Sequence, residues 1–104
     1  DMKENFYHGI LLGLLSHRED WLVDSNPESG DSYSDILVEL YEERIGIVIE
    51  VKYSDGGDLE TGCRNALEQI KRNRYEDRLI QDGMKTIISY GIACCRKQCK
   101  VCAQ

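Results

Sequence analysis

At 104 residues, 41% of them hydrophobic and 31% charged, the chain is long enough for one domain with a modest core. It has no apolar run near the ~20 residues a membrane-spanning helix needs, and its opening DMKENFYHG is too polar for a secretory signal. A net charge of −6 excludes a uniformly basic nucleic-acid binder. A soluble, cytoplasmic, single-domain protein with no membrane partner is expected over 1–104. Asp1 precedes Met2, which suggests a piece of a longer protein.

The first element reads as a helix. Phe6, Tyr7, Ile10, Leu11, Leu14 and Leu15 recur at the spacing of one apolar helix face. Gly9 and Gly13, four residues apart, would allow a neighbour's backbone to approach closely. A short strand follows at 21–25, then a turn cluster at 26–30. Residues 34–40 alternate, with Ile36, Val38 and Leu40 on one face and Asp35, Leu37 and Glu39 on the other. After a polar turn at 42–44, residues 45–53 form the most apolar strand, the pattern of a central strand covered on both faces. The three strands most simply make an antiparallel meander.

Asp58 is placed to cap a second helix, marked by Leu59, Cys63, Ala66, Leu67 and Ile70 and continuing through Tyr75 and Leu79 until Gly83 ends it. A strand over 85–94 and a short one around 99–101 complete the chain. The order α-β-β-β-α-β, plus a final strand, predicts an α/β domain bordering on α+β, with helices packed on a mixed sheet.

Five cysteines, an odd number, argue against a disulfide framework. Cys94, Cys95, Cys99 and Cys102 fall in ACCRKQCKVC, which raises a zinc-stabilised interaction domain. No Gly or Pro forms the usual knuckle and no second pair lies elsewhere, so packed or edge thiols are the better reading.

The stretch IVIEVKYSDGG places Glu50 and Lys52 in an apolar strand, on one face. They could simply pair with each other or reach solvent at the strand end. Asp35 changes the weighting, because a hairpin folded about 42–43 brings it opposite Glu50. Two nearby carboxylates repel unless a positive charge lies between them, and Lys52 neutralises only part. A divalent ion is the economical solution, and hard carboxylate oxygens suit Mg²⁺ or Mn²⁺.

Asp35, fourteen intervening residues, then Glu50-Val51-Lys52 resembles the D…(D/E)-x-K signature of the PD-(D/E)XK nuclease superfamily. The element order resembles its restriction-endonuclease-like αβββαβ core. With ENFYHGILLGLL, ALEQIKRNRY and ISYGIACCRKQCKV, nearly the whole chain looks like the nuclease-like domain found C-terminal to AAA-ATPase-like domains in bacterial proteins. The resemblance implies a metal-dependent nuclease acting on nucleic acid, above all DNA. It implies Asp35, Glu50 and the main-chain carbonyl of Val51 as metal ligands, and Lys52 beside the attacking water. Glu4 and Gln69 match positions that several branches direct into the site. Tyr75 falls near a motif tyrosine of some branches, but core packing is its expected role. The proline of the motif's name is absent, with Ser34 before Asp35. His8 and His17 match no motif position and are expected to be surface or packing residues.

Charge is uneven, and Lys71, Arg72 and Arg74 would meet the phosphate backbone, with Arg96 and Lys97 as further candidates; the alternative is a solvated helix face. Expected partners are nucleic acid and an AAA-ATPase-like domain in the parent chain, with a homodimer left open. The rival to an enzyme is an inactive nuclease-fold module that binds nucleic acid or regulates that ATPase.

Overall fold

The parallel step in a mixed sheet needs a long crossover, and the crossover decides what covers the sheet. The computed structural model describes residues 2–25 and 35–104. In chain order these form α1 (Met2–Leu15), β1 (Leu22–Ser25), β2 (Asp35–Leu40), β3 (Ile45–Tyr53), α2 (Leu59–Asn73), α3 (Tyr75–Gln81), β4 (Thr86–Cys95) and β5 (Gln98–Ala103). The five strands lie in sequence order in one sheet. Only β3 and β4 run parallel, and α2 with α3 makes the crossover between them. The fold is α+β, a five-stranded mixed sheet flanked by helices, consistent with a restriction-endonuclease-like core. The turn cluster expected at 26–30, Ser34 and the Phe6 side chain lie outside the described residues.

Alternation sorts the strand residues onto two faces. Ile36, Val38, Ile49, Val51 and Cys94 form one buried cluster, closed by Tyr7, Leu11, Leu12 and Leu15 of α1 and by Trp21. Leu37 and Val48 point the other way and pack with Ile70, Tyr75, Leu79 and Met84.

Three expectations need correction. The apolar face of α1 is rotated from the one expected: Ile10 is 47% and Leu14 65% exposed, while Leu12 packs against the sheet. Two overlapping stripes satisfy the same spacing, and only tertiary contact selects between them. Gly9 and Gly13 make no close approach, since an added Cβ would meet nothing within 4 Å. That role belongs to Gly62 and Gly91, where a Cβ would come within 2.9 Å of Ala93 Cβ and 2.6 Å of the Cys63 carbonyl oxygen, respectively. These small residues let α2 lie close against β4.

The second helix is also not continuous to Gly83. Arg74 takes a left-handed φ of 58°, its N–H bonds the Lys71 carbonyl, and α3 starts afresh at Tyr75. No glycine marks this break in the sequence, so it reads as uninterrupted helix. Its consequence is to aim Tyr75 and Leu79 into the core, where they are 4% and 0% exposed.

The four C-terminal cysteines do not gather on one face of the sheet. Cys99 and Cys102 are three apart on β5 and so point to opposite faces of the sheet. Among the described residues, no group of three or more His, Cys, Asp or Glu side chains is arranged to hold a metal ion.

Candidate active site

The site begins with the β2–β3 hairpin. A four-residue turn at 41–44, with Arg44 in the left-handed region at φ 59°, sets Leu40 opposite Ile45. Each outward step keeps that register, so Asp35 stands directly opposite Glu50. Opposed residues on antiparallel strands hold their Cβ atoms about 4.5–5.5 Å apart, on the same face. Both residues are 0% exposed. The expected juxtaposition is therefore met at its closest form.

Lys52 follows on the same face of β3. Its side chain is 24% exposed and its Nζ lies 3.4 Å from Glu50 Oε1. The ammonium also donates to Gln69 Oε1, which projects from α2. The helix thus fixes the direction of the lysine, and the lysine joins the buried carboxylate to the surface. Lys52, Gln69 and Arg72 line an open hollow of about 520 Å³, together with Tyr53, Ser54 and Asn65. Asp35 and Glu50 lie behind Lys52 and do not line it.

On the far side, Tyr75 donates its hydroxyl hydrogen to Asp35 Oδ2. Asn73 Nδ2 donates to the same oxygen at 3.4 Å. Both groups come from the break between α2 and α3. Sequence reasoning assigned Tyr75 to packing alone and passed over Asn73. The signal is the resemblance of Tyr75 to a motif tyrosine, at a spacing longer than in the branches that carry it.

Glu4 approaches from α1. Its Oε2 accepts a hydrogen bond from Tyr53 N at 3.3 Å, one residue past Lys52. Tyr7, one turn later, stacks on the Tyr53 ring with centroids 6.3 Å apart. These contacts hold the start of α1 against the end of β3. Val51 is 0% exposed, with its side chain in the α1-side core. His8 is buried too, with its Nε2 2.9 Å from Ser25 Oγ. Burial lowers its imidazole below the ordinary value, and neighbouring Asp35 pulls the other way. His8 ties α1 to β1 and the start of β2.

The three helix cations do not share one surface. Arg72 borders the hollow at Lys52, whereas Lys71 and Arg74 line a second one with Glu76 and Asp77. Arg74 is also paired with Asp77 at 3.0 Å. Arg96 and Lys97 line a third hollow, which meets the first at Gly56.

The profile of the PD-(D/E)XK nuclease superfamily matches residues 2–104. The chain belongs to this superfamily. No curated protein and no solved structure matches it. The matched range includes Asp35, Glu50 and Lys52. Nucleases of this superfamily generally use divalent metal ions. The donors here suit such an ion: two carboxylates brought face to face by strand register, with a main-chain carbonyl between Glu50 and Lys52, are all hard oxygens. No helix of the described residues is long and apolar enough to cross a membrane.

Proposed function

We propose that the chain is a metal-dependent nuclease that hydrolyses phosphodiester bonds, with DNA as the favoured substrate. The observation that carries this reading is the Asp35–Glu50 register beside Lys52, on a face otherwise built as core. Asp35 and Glu50, with the Val51 carbonyl, would hold Mg²⁺ or Mn²⁺. A divalent ion bound there supplies Lewis acidity at a phosphoryl oxygen and lowers the pKa of an adjacent water.

The chain's own residues do the rest. Lys52, held by Glu50 and Gln69, orients the water and stabilises negative charge as it develops at phosphorus. Tyr75 and Asn73 fix Asp35 so that its carboxylate does not turn away. Arg72, at the rim, meets the phosphate backbone. Glu4 gives a further polar contact at the end of β3. The water gives up a proton to solvent as its oxygen forms the new bond to phosphorus, the bridging P–O bond breaks, and the leaving oxygen takes a proton from solvent. With phosphate contacts and no base-reading element among the described residues, little sequence preference is expected.

The test is cleavage of supercoiled plasmid, linear duplex and single strands with Mg²⁺ or Mn²⁺. Wild-type activity that Lys52→Ala lacks, at unchanged folding, supports the reading. Equal activity in both proteins overturns it.

A second reading is favoured by the complete enclosure of both carboxylates and the net charge of −6. In it, the whole chain is the C-terminal nuclease-fold domain of a longer bacterial protein and serves an AAA-ATPase-like domain without cutting. Absence of cleavage on every substrate, with Mn²⁺ binding intact, selects it.

A further inference from the structure

We propose that Cys94 and Cys99 form a reversible disulfide across the β4–β5 hairpin, a modification site for low-molecular-weight disulfides such as glutathione disulfide. The hairpin brings the two residues directly opposite one another. A two-residue turn, Arg96-Lys97, closes it at the Cys95–Gln98 pair. Pairs alternate between hydrogen-bonded and non-hydrogen-bonded on antiparallel strands, so Cys94 and Cys99 form the non-hydrogen-bonded kind. Independently, the Cys94 carbonyl accepts from Ser54 N at 2.9 Å, which turns it toward β3 and away from β5. At such pairs the Cα atoms are about 4.5 Å apart, inside the range that a disulfide spans. The two Sγ atoms are already 2.8 Å apart.

The other thiols are placed to stay out. Cys95 and Cys102 alternate to the opposite face of the sheet, and Cys63 lies there too, bonded through its Sγ to the Lys100 carbonyl at 3.1 Å. Access is also unequal within the pair. Cys99 is exposed and Cys94 is 2% exposed. Burial and the contact with Cys99 push the Cys94 thiol up to about 12, so it does not initiate.

The order of events follows. The Cys99 thiolate attacks one sulfur of glutathione disulfide, forming a mixed disulfide and expelling one glutathione thiolate. Cys94 gives up its proton to solvent and attacks the Cys99 sulfur, expelling the second glutathione thiolate. Two protein thiols are oxidised and one glutathione disulfide is reduced to two glutathiones.

The test incubates the folded full chain with glutathione disulfide, alkylates the remaining thiols and digests with trypsin. Cleavage after Arg96 and Lys97 separates the peptide carrying Cys94 and Cys95 from the one carrying Cys99. Loss of two of the five thiols, with those peptides joined, is expected. The link should persist in Cys95→Ser, vanish in Cys99→Ser and be undone by dithiothreitol. Because Cys99 is exposed, its serine variant keeps the fold. Unreacted Cys99, Cys99 trapped only as a glutathione adduct, or a link from Cys99 to Cys95 or Cys102 overturns the proposal.

Discussion

The two faces of the sheet are made by alternate residues of the same strands, yet they solve different problems. Toward α1, β2 and β3 present Ile36, Val38, Ile49 and Val51, and apolar helix residues cover them. Hydrophobic burial accounts for the strand residues of that face. Toward α2 and α3 the same strands start in the same manner, with Leu37 and Val48, and then present Asp35, Glu50 and Lys52. Enclosing two carboxylates costs several kcal/mol per ion, which one lysine and a few hydrogen bonds do not make favourable over an apolar pair. Apolar packing alone does not account for that end of the face. Under the proposed function, the contrast separates residues that pack from residues that act, within about 20 Å of one strand pair by the rise of about 3.4 Å per residue.

The sharpest division comes from Lys52→Ala. It should lower any cleavage activity by at least about 100-fold, the size of losing one fixed group that stabilises developing charge. Some stability is lost as well, because Glu50 stays buried without its lysine, so cleavage is compared per folded molecule. Ile36→Ala, on the opposite face, should affect stability alone: a loss of about 2–5 kcal/mol in urea unfolding, with normal cleavage per folded molecule. An Ile36→Ala protein that folds normally but cannot cut would break the comparison.

Between these extremes, Gly91→Ala tests the close seat of α2. Its Cβ would press on the Cys63 carbonyl oxygen, at a cost of about 1–3 kcal/mol in the same titration. Tyr75→Phe keeps the ring in the core and removes the donor to Asp35. Stability should fall by about 1 kcal/mol and cleavage by about tenfold, so this residue belongs to both columns.

The smallest effect concerns the far end of the α2 face. Burial, then a hydrogen bond and repulsion from Asp82, raise the Glu39 carboxyl to about 7. A raised acid binds its proton more tightly folded than unfolded. Its contribution is therefore complete below about pH 4.5 and is lost as pH rises through 7. Thermal melts across pH 5 to 8 should show a downward slope that Glu39→Gln flattens. An unchanged slope would remove Glu39 from the account.

Much of this arrangement is legible before any coordinates. Strand alternation and a short turn fix the face of Glu50 and Lys52 and their distance from Asp35, because a hairpin register is a matter of counting. The α1 face was less legible, since Tyr7, Leu11 and Leu15 compete with Ile10 and Leu14 at equal spacing. Asn73 was illegible as a neighbour of Asp35, and Tyr75 was hinted at only by its likeness to a motif tyrosine. Their position depends on a left-handed residue that is an arginine, and nothing local in NRY announces a break. The separation of Arg72 from Lys71 and Arg74 follows from the same break together with the rotation of successive residues around α2.

The central claim is that Asp35 and Glu50 stand together to hold a divalent ion. Calorimetric titration of Mn²⁺ into the wild type and into Asp35→Asn tests it most directly. Asparagine keeps an acceptor for Tyr75 and removes one charge, so the fold is retained. Saturable binding near one ion per chain, lost in Asp35→Asn, is the predicted result. Equal binding in both proteins, or none in the wild type, would contradict the account.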